Sequence, residues 1–499
     1  MYQLNKQCKV YLKSYLSNAA VNNDHSIDLF ETVKVNPTHG KRGCGNGNSG
    51  QGICGVERQV NDPEVDVTSF PRITQSETSL AYFDNFILYG FNDSNDPGNF
   101  SGFAFSSDGG VTWCDCGSLP RNSGGVNRGD PSLAVDKNGV FYYGQIGKEV
   151  INDYLESIIS VSTGTINPDR TITMNLPQVV GRGKGIQDKE WIAVGPDKNS
   201  PGDEALYVVW TDLANFNIRF AKFRTGRNLT ELISSKDIVV SDGIAFGAFP
   251  VVDSVGNIYV FYEHGDLGAF TQLGIPNRVI RMVKSTDGGN SFQPFVPVSS
   301  TFSAAATDVV SCDIDRPVIK VTDQRVIRML ELPQAAKGPD GTIYVVWNAG
   351  RVVGGSSFID IFLACSQDKG NTWNQVTITN TLPHAFFPSV AVNNKGAHIQ
   401  YNRFNDPDGV GGVGNGTFGV FIKTFSFSTG LYEEKIVSNE FSPVPNNRPN
   451  FDPGVVSCYM ADYNQIIAGP GNSLLHAWGD NRNILNHENN PDVFFKQTD

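Results

Sequence analysis

The 499-residue sequence has no uninterrupted run of 18 apolar residues, so it predicts no membrane-spanning helix. The first residues, 1–13, lack the apolar core of a signal peptide, and we expect no classical secretion signal there. Basic residues are also few: 39 Lys and Arg face 51 Asp and Glu, which gives a net charge of −12. This charge opposes binding to phosphates, so neither nucleic acid nor an anionic membrane surface is an expected partner.

Several catalytic and metal-binding motifs are absent as well. The sequence contains no Cys-x-x-Cys pair and no His-x-x-x-His spacing, which argues against zinc. It contains no Gly-x-Ser-x-Gly elbow, which argues against a serine hydrolase, and no EF-hand loop. We therefore assign no metal ligands and expect no required cofactor. Structural calcium stays open at Asp-rich loops such as Asp406–Asp408.

The eight cysteines permit up to four disulfides. Cys44 and Cys54 bracket a Gly/Asn-rich loop that a disulfide could close. Cys114 and Cys116 lie two apart on one strand face and are not expected to pair with each other. Disulfides favour an extracellular or surface location, whereas the N-terminal sequence indicates no export route, so the location stays open.

Turns and short strands dominate the composition. The 52 Gly, 26 Pro and 32 Phe residues are typical of a chain with many short strands. One octapeptide, S-x-D-x-G-x-[ST]-[WF], occurs at 106–113, 285–292 and 366–373. Its Asp can accept N–H bonds across a bend and its Gly can adopt positive φ, which predicts a hairpin turn followed by a strand with an inward aromatic residue.

A longer pattern, Pro-x-x-Ala-x-Asp-x-x-Gly-x-x-Tyr-x-x-Trp, predicts two strands joined by a Gly turn. It has seven copies, some of them loose: Phe70–Phe91, Pro131–Tyr143, Glu190–Trp210, Pro250–Tyr262, Pro333–Trp347, Pro388–Tyr401 and Tyr463–Trp478. The first four anchors, which are Pro71, Pro131, Glu190 and Pro250, lie 60, 59 and 60 residues apart, and uneven later gaps indicate insertions.

These repeats predict an all-β fold, a β-propeller of four-stranded antiparallel blades. Seven blades are expected, with six as the alternative. Residues 1–66 would form an N-terminal extension that includes a Gly/Asn-rich loop, and 67–499 would form the propeller. A strand at about 26–35 would close the last blade and so protect its edge.

The octapeptides resemble the Asp box, or BNR repeat, of the sialidase superfamily. The resemblance implies a structural role for nine positions: Asp108, Gly110, Trp113, Asp287, Gly289, Phe292, Asp368, Gly370 and Trp373. It also implies a propeller fold and carbohydrate as the partner, either as substrate or as bound glycan. In that superfamily the box lies away from the active centre, and chemistry has to be argued from the site.

Strand order indicates where a site could lie. In an up-and-down sheet the first and third turns share one face, so residues that enter strand one or leave strand two crowd the opposite face near the axis. Many of these positions are polar: Arg72, Asp130, Asp188, Lys189, Glu190, Arg328, His384, Asp462 and Tyr463 enter strand one, while Asp93, Asp212, Glu263, His264, Asn348, Arg403, Asp480 and Arg482 leave strand two. A simpler interpretation is that these residues cap turns and pair with one another.

The comparison with sialidases suggests roles for some of these residues. It implies Asp130 as acid/base, Glu263 paired with Tyr463 as nucleophile, and Arg72, Arg328 and Arg403 as ligands of a substrate carboxylate. Arg72 lies in Phe70–Ile73, where the order of the family's Phe-Arg-Ile-Pro motif is altered. From the positions near the axis we add Asp188, Glu190 and His264 as substrate-binding candidates. A glycan-binding propeller without catalysis and a structural component of a virion, spore, crystal or surface assembly remain the alternatives, and the oligomeric state stays open.

Overall fold

The computed structural model describes residues 55–499 except 152–153, 267, 269, 354–355, 381–382, 427–428 and 432–433. The strand predicted at about 26–35 and the loop between Cys44 and Cys54 lie outside the described residues. In the described part, antiparallel strands dominate and one short α-helix precedes them. No helix in this part is long and apolar enough to cross a membrane.

The described chain starts with β1 (Arg58–Gln59) and α1 (Pro63–Ser69) and then forms sheets that we number as blades. Blade 1 contains β2 (Gln75–Phe83), β3 (Phe86–Asp93), β4 (Ser101–Ser106) and β5 (Cys114–Ser118). Blade 2 contains β6 (Val126–Asn127), β7 (Ser132–Val135), β8 (Val140–Ile151), β9 (Tyr154–Ile166), β10 (Ile172–Met174) and β11 (Gln178–Arg182). Blade 3 contains β12 (Gln187–Pro196), β13 (Glu204–Asp212), β14 (Asn217–Arg224) and β15 (Thr230–Val239).

Blade 4 contains β16 (Ile244–Val252), β17 (Ile258–Gly265), β18 (Arg278–Ser285) and β19 (Val296–Pro297). A small sheet follows, with β20 (Asp308–Ser311), β21 (Asp315–Lys320) and β22 (Val326–Arg328). Blade 5 contains β23 (Gln334–Lys337), β24 (Ile343–Val353), β25 (Ser356–Ser366) and β26 (Asn374–Thr377).

Blade 6 contains β27 (Ala385–Asn393), β28 (Gly396–Phe404), β29 (Thr417–Ser426), β30 (Gly430–Leu431), β31 (Lys435–Ile436) and β32 (Ser442–Pro443). Blade 7 contains β33 (Gln465–Ala468), β34 (Leu474–Leu485) and β35 (Glu488–Thr498), and a 3-10 turn (Pro470–Asn472) joins its first two strands. The edge of blade 7 pairs with β1, where Arg58 is opposite Phe495. This edge partner lies in the N-terminal extension predicted for residues 1–66.

The inner strands close a ring around the axis. Each contacts the inner strand of the next blade, in the order β2, β7, β12, β16, β23, β27, β33 and back to β2. A side chain on one inner strand repeatedly accepts a backbone N–H of the next: Leu133 N to Ser79 Oγ, Ile192 N to Ser132 Oγ, Ile466 N to Ser389 Oγ, and Leu80 N to Gln465 Oε1. The last of these bonds, 2.6 Å long, joins blade 7 to blade 1. The prediction of an all-β propeller is confirmed.

The middle strands are buried because neighbouring blades cover both of their faces. Tyr207–Trp210 on β13 are all buried, although they form a continuous apolar run rather than an alternating one. The outer strand β15 instead alternates between exposed and half-buried residues. This pattern is expected for sheets that stack face to face around an axis.

The three octapeptides form the same turn between the third and fourth strands of blades 1, 4 and 5. In each, the Ser hydroxyl donates to the Asp carboxylate and accepts the N–H of the second Gly position, all at 2.8 Å. The Asp also accepts the N–H and hydroxyl of the Ser or Thr four residues on. The hydroxyl of Thr372 is the largest of the contributions that lower the pKa of Asp368 to about 2.

Each turn also packs against the preceding blade. Trp113 contacts Phe495 with ring centroids 5.0 Å apart, and Phe292 contacts Phe220 at 5.1 Å. Gly110 has a φ of 87°, and a Cβ there would lie 2.3 Å from the Phe495 ring. The glycine is therefore required twice, for its backbone conformation and for the close approach of the blades.

A structure that we call the cap covers part of the face opposite these turns. It consists of β20–β22, inserted between blades 4 and 5, and residues 444–464, inserted between blades 6 and 7. A disulfide between Cys312 and Cys458 joins the two segments, and Val310, Val318 and Val326 pack around it. The uneven spacing of the later repeats arises from these insertions.

Candidate functional site

The backbone near the start of four inner strands departs from regular β-structure. The pairing of β2, β12, β16 and β27 shifts by a bulge at the corresponding place in each strand. The first bulge residue has positive φ: 50° for Glu77, 48° for Lys189, 65° for Gly247 and 52° for Phe387. Asp130, just before β7, has a φ of 56°. Positive φ is uncommon for residues other than glycine, and bulges often reorient side chains next to functional sites.

A buried charge network occupies the axis where these bulges meet. Lys189 Nζ lies 2.8 Å from Asp130, 2.7 Å from Asp462 and 3.7 Å from Glu77. Arg328 from β22 binds Asp462 with both Nε and Nη2, at 2.7 and 2.5 Å. Burial acts to raise the pKa of Asp462, but the charges of Arg328 and Lys189 outweigh it and hold this pKa well below its usual range. The network thus joins blades 1, 2 and 3 to the cap.

Two further carboxyl groups next to this network have raised pKa values. Burial, followed by the charge of Asp130, raises the pKa of Glu190 well above its usual range. The same two causes raise the pKa of Asp188 to about 6. Glu190 is 2% exposed, and neither of its carboxyl oxygens has a hydrogen-bond partner from another residue. A buried carboxyl group without partners is unusual, because its desolvation is not compensated.

A cavity of about 20 Å3 lies beside these groups and has room for about one water molecule. Its walls come from blades 2, 3, 4 and 7 and from the connection into blade 5: Asp130, Lys189, Glu190, Trp191, Gly247, Ala248, Phe249, Leu332, Pro333, Gln334 and Tyr463. Trp191 packs between Phe249 and Tyr463, with ring centroids 4.7 and 5.3 Å apart. The cavity therefore has a polar wall and an aromatic wall.

Tyr463 is held in this wall by its hydroxyl group, which donates to the carbonyl oxygen of Pro131 at 2.9 Å. Burial raises the pKa of Tyr463 well above its usual range, with smaller contributions from Glu77, Asp130 and Glu190. Its phenol is therefore neutral at neutral pH.

The cap contributes more than Arg328 and Asp462. Tyr459 accepts a hydrogen bond from Asn92 of blade 1 at 2.8 Å, and its ring lies 4.6 Å from the guanidinium of Arg328. Asp452 accepts the backbone N–H groups of Ile73 and Thr74, both at 3.1 Å. These bonds fix the cap on blade 1.

The three arginines suggested as carboxylate ligands have different surroundings. Arg328 belongs to the axial network. Arg403 pairs with Glu434 in blade 6, with its guanidinium 4.2 Å from the centre of the Phe421 ring. Arg72 lies against Gly454 of the cap.

The suggested Glu263 and His264 lie in blade 4, in a second group of charges. Arg278 binds Glu263 at 2.8 Å and lies 3.5 Å from Glu331. Burial and the charge of Glu331 raise the pKa of Glu263 to about 8. His264 bonds to Asp242 at 2.8 Å. The residues that line the cavity do not include Glu263 or His264.

Sequence reasoning thus identified part of the site. Asp130, Asp188, Glu190, Arg328 and Tyr463 belong to the axial network or its cavity. It missed four contributors: Glu77, Tyr459, Trp191 and Phe249. Glu77 lies in a bulge and follows no repeat pattern, but Trp191 and Phe249 each adjoin a repeat anchor, which was an available signal.

The calcium prediction stays a prediction. At the suggested loop, Asp406 accepts the backbone N–H groups of Val410 and Gly411. Within the described residues, no group of three or more His, Cys, Asp or Glu side chains could hold a metal ion.

No family model matches the sequence, and no curated protein matches it. Among solved structures, the GH93 α-L-arabinofuranosidase of Fusarium graminearum with arabinobiose aligns over 89% of this chain and 97% of its own, with 10% identity and a TM-score of 0.41. The Trypanosoma rangeli sialidase with 2,3-difluorosialic acid aligns over 85% of this chain and 54% of its own, with 9% identity and a TM-score of 0.42. The Penicillium chrysogenum α-L-arabinanase with arabinobiose aligns over 90% of this chain and 98% of its own, with 11% identity and a TM-score of 0.39. Similarities of this strength carry no argument about activity, which has to be argued from the cavity itself.

Proposed function

We propose that the protein binds carbohydrate at the axial cavity and hydrolyses a glycosidic bond there, with Glu190 as the proton donor. The observation that carries this proposal is the carboxyl group of Glu190, which lines the cavity together with Asp130 and has no hydrogen-bond partner. Buried polar groups normally have partners. A carboxyl group without one is best explained by a ligand that supplies it.

The carboxyl groups of Glu190 and Asp130 suit the two roles that glycoside cleavage requires. One group must give a proton to the leaving oxygen, and a second carboxylate must assist attack at the anomeric carbon. Burial and the charge of Asp130 raise the pKa of Glu190 and so favour the protonated form that a proton donor needs. Glu190 protonates the glycosidic oxygen as the bond from carbon to oxygen breaks. Water then adds its hydroxyl group to the anomeric carbon, and its remaining proton restores the acid.

Tyr463 serves as a wall of this site, since its hydroxyl is bonded to Pro131 and its phenol is neutral. With Trp191 and Phe249 it offers aromatic faces to a sugar ring. A sugar ring is larger than the cavity, so binding requires the rim to open. Leu332 is half-buried whereas Trp191, Phe249 and Tyr463 are buried, so Leu332 is the side chain that we expect to move.

The three repeated turns are Asp boxes of the sialidase superfamily under this proposal. Their common sequence, hydrogen bonds and packing on the preceding blade support the assignment. They lie on the face opposite the cavity, so their role is structural.

The test compares Glu190→Gln with the wild type on aryl and alkyl glycosides. For alkyl leaving groups, which need a proton, we expect kcat/KM to fall about 100-fold or more. For dinitrophenyl glycosides we expect a small loss, because that leaving group departs without protonation. Exposed Glu231 on β15 provides the control Glu231→Gln, which should change neither rate. Equal losses on both substrates would remove Glu190 as the proton donor.

A non-catalytic structural or interaction propeller is the second candidate. The small volume of the cavity and the cap fixed across the same face favour it. In that case no glycoside would be cleaved and no glycan bound, and analytical ultracentrifugation would show self-association.

A further inference from the structure

We infer that the axial cavity accepts a neutral sugar residue and discriminates against a sugar that carries a carboxylate. This inference rests on the proposed function of the cavity as a glycan site. It concerns the chemical class of the sugar that occupies the cavity, which the proposed reaction leaves open.

The first argument is that the nearby cations are already bound. Lys189, the basic residue among those that line the cavity, has carboxylates at 2.7 and 2.8 Å and is 8% exposed. Arg328 uses Nε and Nη2 on the two oxygens of Asp462. A sugar carboxylate would need at least one free cation in bidentate or direct contact. A bidentate contact through Nε and Nη2 of Arg328 would displace Asp462, and the charge of Lys189 is already offset by two carboxylates.

The second argument is the sign of the remaining charge. Asp130 and Glu190 face the cavity, and Asp188, Glu77 and Asp462 lie behind them. These five carboxyl groups surround two cations, Lys189 and Arg328. A further anion would meet a site without excess positive charge.

The third argument comes from the other basic residues and from the opposite wall. Arg403 is paired with Glu434, and Arg72 lies against Gly454 of the cap, so neither belongs to the cavity wall. The aromatic wall is formed by Trp191, Phe249 and Tyr463, and Leu332 adds an aliphatic surface to the cavity. Aromatic and aliphatic surfaces suit the C–H faces of a neutral sugar.

The experiment uses the full-length protein on an array that pairs neutral glycans with sialylated and uronic-acid forms of the same glycans, followed by hydrolysis assays on both classes. Binding or cleavage confined to neutral termini supports the inference. Preference for acidic termini overturns it while leaving the proposed function in place. Absence of binding and cleavage for every glycan overturns both.

A charge variant makes the test independent of the identity of the sugar. Asp462→Asn frees Arg328 and one contact of Lys189, so we expect the ratio of affinities for acidic over neutral glycans to rise about tenfold. Asp323→Asn changes the net charge by the same amount at an exposed position of the cap and should leave the ratio of affinities unchanged. Circular dichroism and thermal unfolding verify that both variants are folded. An unchanged ratio in folded Asp462→Asn would contradict the inference.

Discussion

Lys189 is the residue on which the axis depends most. Its ammonium group lies among Asp130, Asp462 and Glu77, and its side chain is 8% exposed. Burial acts to lower the pKa of Lys189, but the surrounding carboxylates outweigh it and raise this pKa well above its usual range. Removal of the lysine would leave Asp130 buried without a cation, and Asp462 and Glu77 with Arg328 alone.

We therefore predict that Lys189→Met lowers the free energy of unfolding by about 3–5 kcal/mol, because removing one partner of a buried ion pair leaves an uncompensated buried charge. Lys320→Met is the control: Lys320 pairs with Asp323 at 2.9 Å on the surface of the cap, and we expect a much smaller loss, because exposed ion pairs contribute little to stability. Urea unfolding followed by tryptophan fluorescence measures both. Similar losses in the two variants would contradict this prediction.

Three of the predicted residues that lie at the axial cavity share one geometric property, whereas Arg328 reaches the axis from β22 of the cap. Asp130, Glu190 and Tyr463 enter the first strand of a blade, which is the strand next to the axis. Glu263 and Arg403 instead leave the second strand, about 5 Å farther from the axis. The rule of strand order assigns both groups of residues to one face, but it does not separate these two distances from the axis. Glu77 could not be found, because the bulge that places it leaves no mark in the repeat pattern.

Among the elements, the repeated turn shows how one glycine serves two purposes. Gly109 and Gly110 of the first turn both have positive φ, at 76° and 87°. A Cβ at Gly109 would meet no atom within 4 Å, whereas one at Gly110 would lie 2.3 Å from Phe495. The second glycine thus permits the contact between blades 1 and 7.

We predict that Gly109→Ala lowers the free energy of unfolding by about 1 kcal/mol, through backbone strain alone. Gly110→Ala should cost about 2–4 kcal/mol, since overpacking against Phe495 is added to the same strain. Thermal unfolding by calorimetry compares the two variants. Equal shifts in Tm would show that the contact with Phe495 adds nothing.

At this scale the sequence predicted the blades and the turns well, because each is encoded in a local repeat. The hydrogen bonds that Thr112 donates to Asp108 follow directly from the residue types and their spacing. The cap was not predicted, since its two segments are far apart in the sequence and follow no repeat. Their association depends on Cys312 and Cys458, which are 146 residues apart.

For the whole molecule, buried carboxyl groups set the dependence of stability on pH. Burial is the main cause that raises the pKa of Asp93 to about 7 and, with the charge of Glu331, that of Glu263 to about 8. At pH values between the ordinary pKa of a carboxyl group and these raised values, the folded protein holds protons that the unfolded chain has released. The free energy of unfolding therefore falls as the pH rises. The buried histidines His384 and His398 act in the opposite direction, but only below their ordinary pKa of 6.5.

We therefore predict that the free energy of unfolding falls by about 1 kcal/mol or more between pH 7 and pH 8.5. Urea titrations at several pH values measure the slope. Glu263→Gln removes one of the responsible groups and should make the slope shallower. A stability that is constant or rises over this interval would refute the prediction.

The pairing of β1 with β35 places the start and the end of the described domain side by side. Arg58 is opposite Phe495, and Gly55 lies against the carbonyl oxygen of Gln497. Because these two ends are adjacent, the same ring of blades could form from a chain that starts at a different blade. A circular permutant that joins Asp499 to Gly55 through a short linker and begins at the connection between blades 3 and 4 would retain every blade, every inter-blade bond and the cap.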